Sequence, residues 1–107
     1  MHNKKDGKNY KIALPGVTYK TLVYGERTSL CEFKLEKGSI IPSHSHPHEQ
    51  TGYMVSGKMN FIIGAETFIA EEGTSWNIPS YIEHSVKVIE DSLVIEVFSP
   101  VREDYLP

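Results

Sequence analysis

Apolar and polar residues alternate along most of the chain, and this alternation is its strongest structural signal. In CEFKLE, positions 31, 33 and 35 are apolar and positions 32, 34 and 36 are charged. In KMNFII, positions 59, 61 and 63 are apolar, and positions 58 and 60 are polar. A period of two over short runs is typical of strands that bury one face. The pattern therefore predicts β-strands.

Turn-forming residues interrupt these runs at short intervals, and no long stretch combines a helical period with helix caps. We therefore expect about nine to eleven short strands and almost no helix, arranged as an antiparallel sandwich or barrel. The predicted turns lie at EKGS (36–39), SGK (56–58), IGAE (63–66), EEGT (71–74) and IEDS (89–92).

Length and composition predict one domain over residues 10–107, because nothing divides the 107-residue chain. Residues 1–9 are polar, lack a basic-then-apolar leader, and are predicted to form a flexible arm. No apolar run approaches the ~20 residues that span a bilayer. A formal net charge of -3 argues against nucleic acid or an anionic membrane as partner. The single Cys31 cannot form an internal disulfide, which fits a cytoplasmic protein.

Three of the five histidines lie in HSHPHEQ, residues 44–50. His44 and His46 are two residues apart, so on a strand they project from one face, and Pro47 is expected to end that strand. Gln50 begins the next alternating run, and His84 begins another in IPSYIEHSVKV. Imidazoles and a side-chain oxygen converging in this way suit a transition-metal ion. Exposed loop histidines without a metal remain the alternative.

Other residues near these positions are predicted to have no direct role in the site. His48 lies in the proposed turn and is expected at the rim, and Glu49 has the opposite parity from the buried-face Gln50. Cys31 falls on an apolar strand face and is expected to be an inert core residue. The aromatic residues Trp76, Tyr53 and Tyr81 are expected in the core or at the rim.

The spacing of glycines and ligands resembles the two motifs of the cupin family. Gly38 to Gly57 follows G-x5-H-x-H-x3-Q-x6-G, and Gly73 to His84 follows G-x5-P-x4-H, with fifteen residues between the two motifs. The resemblance implies an all-β double-stranded β-helix, a small barrel. It also implies one divalent transition metal, which could be Ni, Zn, Fe or Mn. The implied metal ligands are His44, His46, Gln50 and His84.

Three positions depart from the usual cupin pattern. Gln50 stands where most cupins have Glu, Tyr81 where the second motif usually has Gly, and Val88 where it usually has Asn. Three histidines and one glutamine carry no charge, so a divalent ion would keep its full charge of +2. Such an ion is a strong Lewis acid toward an anionic oxygen ligand.

The C-terminal segment IEVFSPVREDYLP, residues 95–107, resembles the end of small cupins of the KdgF group, which are associated with pectin degradation. In that group the metal site ring-opens 4,5-unsaturated uronates to the linear 5-keto-4-deoxyuronate. The resemblance implies that Glu96, Phe98 and Arg102 are the catalytic residues beside the metal. The acidic residue of the group is typically Asp, so Glu96 is one methylene longer.

Each of these three assignments has a simpler alternative. Glu96 and Phe98 share one strand parity, so both point into the barrel, as we expect, or both point outward. If they point outward, Glu96 is solvated and Phe98 belongs to a subunit contact. Arg102 could form a surface ion pair with Glu103 or Asp104.

These features predict a metal-dependent cupin that acts on a small anionic sugar acid. The alternatives are an iron-dependent dioxygenase on the same frame and a non-catalytic domain that binds a small acid. An acid–base pair at Glu96 and Arg102 facing the metal would favour isomerase or lyase chemistry. The last strand is apolar on both parities, so a homodimer is expected to cover its outer face. The apolar positions are Leu93, Ile95 and Val97 on one side and Val94 and Phe98 on the other.

Overall fold

The computed structural model describes all 107 residues and consists almost entirely of antiparallel β-strands. No segment forms an α-helix, and one turn of 3-10 helix, Glu103–Tyr105, follows the last strand. The structure has no helix with the length and hydropathy of a membrane-spanning segment. The eight strands are β1 (Lys11–Leu14), β2 (Val17–Tyr24), β3 (Ser29–Leu35), β4 (Ile40–His44), β5 (Glu49–Ile63), β6 (Glu66–Glu71), β7 (Ser75–Ile78) and β8 (His84–Ser99).

The strands pair in the order β1-β2-β3-β8-β5-β6, with β4 added to β8 and β7 added to β5. The two long strands, β5 and β8, run side by side from Glu49 opposite Ser99 to Ile63 opposite His84. One end of this pair joins β3 and β7, and the other end joins β4 and β6. The fold therefore has two packed layers, and both β5 and β8 run continuously from one layer into the other. The predicted all-β double-stranded β-helix is confirmed.

The prediction of nine to eleven strands is wrong, because two of the expected turns lie inside long strands. SGK at 56–58 belongs to β5 and IEDS at 89–92 belongs to β8. Around Gly57 the register between these strands shifts, so the pair bends instead of ending. Gly57 has φ +106°, and a Cβ there would lie 2.3 Å from the Ser92 hydroxyl oxygen. A glycine bulge can therefore replace a turn. EKGS, IGAE and EEGT do form turns.

The barrel interior is filled by the apolar parity of each strand, as the alternation predicts. In β3 the buried positions are Ser29, Cys31, Phe33 and Leu35, and the other parity is polar or partly exposed. The two largest side chains that are almost fully buried are Phe98 of β8 and Met54 of β5. This core lies between the layers and leaves one end of the barrel open beside β1, β4 and the C-terminal turn.

The N-terminal residues pack against the outside of β2. The Asp6 carboxylate pairs with the Lys20 ammonium group, and the Asn3 amide donates to the Leu22 carbonyl at 3.0 Å. Tyr10, at the start of the predicted domain, donates to Glu32 of β3.

Candidate metal centre

Three histidines meet at the open end of the barrel. His44 is the last residue of β4 and pairs in register with His84, the first residue of β8. His46 lies two residues beyond β4, in the loop before β5, so the HxH pair does not share one strand. The three rings nevertheless converge, because one nitrogen of each lies within 4.8 Å of the corresponding nitrogen of the others. This spacing could hold a single metal ion.

Each of the three imidazoles is oriented by a backbone carbonyl two residues away. A carbonyl only accepts, so the ring nitrogen that faces it, Nδ1, must carry the proton. The other nitrogen, Nε2, then has a free lone pair, which is the usual arrangement of a metal-binding histidine with its supporting hydrogen bond. The Nδ1-to-oxygen distances are 2.9 Å for His44 to Pro42, 2.9 Å for His46 to His48 and 3.0 Å for His84 to Ile82.

The environment keeps two of these rings neutral. The pKa of His84 is lowered to about 4, mainly by burial and to a smaller extent by the neighbouring His44, His46 and Arg102, against the hydrogen bond with the Ile82 carbonyl, which raises it. Burial also lowers the pKa of His46, with a second contribution from the positive charge of Arg102. Only a neutral imidazole can bind a metal. The site is therefore ready for a cation at neutral pH.

Gln50 completes the neutral set from the second residue of β5. Its side chain is 9% exposed, and Oε1 lies 3.1 Å from His46 Nε2. With Nδ1 of His46 donating to a carbonyl, Nε2 is an acceptor, so this pair brings two acceptors together. A cation between them would satisfy both atoms. The donor atoms present therefore fit a metal ion.

Glu96 is buried on the inner face of β8, beside this cluster, with 4% of its surface exposed. Its Oε1 accepts a hydrogen bond from Trp76 Nε1 at 3.1 Å, and its Oε2 is buried without a partner. Burial raises the pKa of Glu96 to about 8, although the nearby Gln50 and Trp76 side chains oppose the rise. Burial therefore favours the neutral, protonated form of this carboxyl group in the metal-free protein.

Phe98 and Arg102 lie on the same side of the cavity. Phe98 is 1% exposed and faces inward with Glu96, as expected. Arg102 stacks on two aromatic rings, with Cζ 5.0 Å from the Phe98 centroid and 4.1 Å from the Tyr105 centroid. Its Nε and Nη2 donate to Asp104 at 3.0 and 2.7 Å, so the ion pair predicted as an alternative does form. Arg102 nevertheless also lines the cavity.

One cavity of about 510 Å³ contains the whole constellation. Most of its wall is apolar, from inner positions of β2, β3, β5 and β8. The polar groups collect at the end next to the histidines, where Glu96 and Arg102 also lie. A cavity of this size and composition is typical of a small-molecule site. The seven residues predicted for metal binding and catalysis all line it: His44, His46, Gln50, His84, Glu96, Phe98 and Arg102.

Glu49, His48, Cys31 and Trp76 take the positions predicted for them, whereas Tyr53 and Tyr81 lie outside the core and do not line the cavity. Glu49 is exposed and accepts from the Asn77 amide at 3.0 Å, and His48 is half-buried. Cys31 is buried in the core, and burial raises the pKa of its thiol. Trp76 is buried, whereas Tyr53 and Tyr81 are 49% and 70% exposed.

Sequence reasoning missed two contributions to the site. Trp76 is a core residue, but its indole is also the hydrogen-bond donor to Glu96. Tyr105, in the C-terminal 3-10 turn, stacks on Arg102 and lines the cavity. A glycine inside the apolar run QTGYMVS is the one signal that could have indicated a close approach by a side chain such as Trp76.

Comparisons with known proteins agree with this architecture. The family model described as "Cupin domain" matches residues 31–99. The pectin degradation protein KdgF of Dickeya dadantii is 28% identical over 93 residues, which cover 85% of this chain and 84% of that protein.

Solved structures give the same result. KdgF from a Halomonas species superposes with a TM-score of 0.92 at 28% identity, covering 99% of this chain and 100% of that one. An RmlC-like cupin from Shewanella frigidimarina also has a TM-score of 0.92, at 21% identity, covering 98% and 95% of the two chains, which supports the fold alone. The resemblance of the sequence to KdgF is therefore confirmed, and the chain belongs to the cupin family.

Proposed function

We propose that this protein is a metal-dependent cupin that opens the ring of 4,5-unsaturated uronates. The observation that carries the proposal is the shared cavity, in which one ring nitrogen from each of three histidines converges beside a buried carboxyl group with one free oxygen. The similarity to proteins named for pectin degradation supports a sugar acid as the substrate class.

His44, His46, Gln50 and His84 would hold the ion. A divalent metal in this neutral ligand set would supply Lewis acidity toward a carboxylate and an adjacent anionic oxygen. The protein contributes the geometry, because the backbone carbonyls fix the three rings before any ligand binds. Preorganised rings reduce the reorganisation that binding and turnover require.

The reaction is an isomerisation, so its atoms balance within the substrate. The hydroxyl group at C1 loses its proton, the bond between C1 and the ring oxygen breaks, and C1 becomes an aldehyde. The electron pair passes to the former ring oxygen at C5, and a proton adds at C4 to give the 5-keto product. Glu96 would move the proton, and its buried Oε2, which has no partner in the protein, supports this role.

Arg102 and Phe98 would hold the substrate. Arg102 uses Nε and Nη2 toward Asp104, so Nη1 and the outer edge of Nη2 can still donate to a substrate carboxylate. Its planar group is held against the rings of Phe98 and Tyr105 and by the ion pair with Asp104. A fixed arginine loses less freedom when an anion binds. Phe98 would present its face to the sugar ring.

This arrangement favours isomerisation over the dioxygenase and binding-domain alternatives. A dry aromatic pocket without acid–base groups would favour oxygen chemistry, whereas Glu96 and Arg102 both line this cavity. A non-catalytic domain would have no need of a buried carboxyl group with a raised pKa.

The proposal is tested by following the reaction in D2O by NMR. The metal-loaded protein should convert 4,5-unsaturated galacturonate to the 5-keto acid with one deuterium at C4. Glu96→Gln should form that product much more slowly while keeping its metal. Product without deuterium at C4, or no product at all, would contradict the proposed reaction.

We also propose that two chains pair through the outer face of β8. Leu93 and Ile95 are partly exposed there, Val97 is 37% exposed, and Tyr53 of β5 lies opposite Ile95. Light scattering should give the mass of a dimer at micromolar concentration. Ile95→Lys should yield monomers, whereas Ile69→Lys on β6 should not; a monomeric wild type would contradict the pairing.

A further inference from the structure

Three residues form one row across the sheet behind the candidate site. Gly52 of β5 lies opposite Glu96 of β8 on one side and opposite Trp76 of β7 on the other. Residues in such a row project to the same face of a sheet. The side chains of Glu96 and Trp76 therefore flank a position that has no side chain, and the indole Nε1 crosses it to reach Glu96 Oε1 at 3.1 Å.

The hydrogen bond from Trp76 to Glu96 passes over Gly52. It is the one feature of the surroundings that explains why this position is a glycine. Glycine in a strand interior is unfavourable, because it gains no packing and loses more freedom on folding. The backbone at Gly52 is outside the left-handed region, so no turn requires it. A Cβ there would lie 2.2 Å from Trp76 Nε1 and 2.4 Å from Glu96 Oε2. Any other residue would separate the indole from the carboxyl group.

The bond determines which oxygen of Glu96 can exchange a proton. An indole N–H is a donor only, so Oε1 must accept from it whether the carboxyl group is neutral or ionised. The proton of the neutral form therefore resides on Oε2, the oxygen without a partner in the protein. Glu96 lines the cavity and Trp76 does not, so the indole holds the carboxyl group from behind.

We propose that Trp76 is a positioning residue for Glu96, and that Gly52 is present because the bond must pass over β5. The inference deepens the proposed function and rests on it for the role of Glu96. The bond itself can be tested without substrate.

The first test uses the fact that the chain has one tryptophan, and therefore one indole N–H signal in a 15N NMR spectrum. Glu96→Leu removes the acceptor, so the signal should move upfield and exchange with D2O about tenfold faster, as expected for one lost hydrogen bond. Gly52→Ala should move the signal in the same direction. The matched control is Gly25→Ala, because a Cβ at Gly25 has no neighbour within 4 Å.

An indole signal that Glu96→Leu leaves unchanged in position and exchange rate would overturn the proposal. Equal shifts in Gly52→Ala and Gly25→Ala would overturn the explanation of the glycine. If Gly52→Ala does not fold, the comparison of wild type with Glu96→Leu still decides whether the bond exists.

The second test is a double-mutant cycle on turnover of unsaturated galacturonate. Trp76→Phe should lower kcat about tenfold, with KM and metal content unchanged, because one hydrogen bond to the acid is lost. In the Glu96→Gln background the same change should cost less than about twofold. Equal losses in both backgrounds would show that Trp76 acts through packing alone and would overturn the positioning role. A wild type without turnover would defeat the proposed function, and the NMR result would still decide the bond.

Discussion

The candidate metal ligands and the acid Glu96 face one cavity, but different parts of the chain hold them in place. Each imidazole is bound to a carbonyl two residues away, within its own short segment. Glu96 is bound to Trp76, twenty residues away on another strand, across a third strand at Gly52. The histidine side is thus organised locally, and the acid side depends on the register of three strands.

The two sides also differ in their access to water. His44 is exposed and His46 is half-buried, so an ion could enter from the open end of the barrel. Glu96 is enclosed, and its burial keeps its pKa far above the ordinary value. The comparison indicates that metal exchange and proton transfer can be disturbed separately by mutation.

The largest effect is expected for His84→Ala on the metal side. Removing one of three imidazoles should abolish stoichiometric metal binding and turnover together, because the remaining ligands hold the ion weakly. Elemental analysis after gel filtration measures the metal, and circular dichroism checks the fold. His2→Ala, in the N-terminal segment, serves as control and should keep one metal ion. Retention of the metal by His84→Ala would remove His84 from the site.

On the acid side, Glu96→Gln should lower kcat by about 10²–10⁴-fold, the range for loss of a general acid or base. Metal content should stay at one ion per chain, since Gln keeps the size and the hydrogen bond of Glu. Kinetics and elemental analysis on one preparation provide the measurement. A variant that loses metal and activity together would show that the two sides are not independent.

A smaller effect is expected for Arg102→Ala, which removes the proposed carboxylate contact. One charge-assisted hydrogen bond is worth about 1.5–3 kcal/mol, so KM for an unsaturated uronate should rise about 10- to 100-fold. The change in kcat should be smaller. Arg27→Ala, on an exposed turn, is the control and should leave KM unchanged. An unchanged KM in Arg102→Ala would restrict Arg102 to its ion pair with Asp104.

The smallest effect concerns stability. The pKa of Glu96 rises from 4.5 to about 8 on folding, so between these values only the folded chain holds the proton. Above the ordinary histidine pKa of about 6.5, His46 and His84 are neutral in both the folded and the unfolded chain. The free energy of unfolding of metal-free protein should therefore fall as pH rises from about 6.5 to 8, by at most about 1.4 kcal/mol per pH unit. Urea titrations at both pH values would measure it. Glu96→Gln should lose this slope; an equal slope in both proteins would contradict the burial argument.

The same contrast explains how much could be predicted from the sequence. Strand parity, which depends on local periodicity, predicted that Glu96 and Phe98 share the inner face. His84 was assigned to the HxH pair through the resemblance to the two cupin motifs, not through periodicity. The contact of Trp76 with Glu96 depends on which strands become neighbours, and periodicity carries no information about that. The strand number was wrong for a related reason, since the bulge at Gly57 and a turn have the same local composition.

The central claim is that a metal held by the histidines drives opening of unsaturated uronates, and one rate measurement tests it most directly. Wild-type protein with one equivalent of metal should consume 4,5-unsaturated galacturonate or glucuronate faster than the uncatalysed rate. A chelator or the His84→Ala change should return the rate to that background. Metal-loaded wild type that leaves both uronates at the uncatalysed rate would contradict the account.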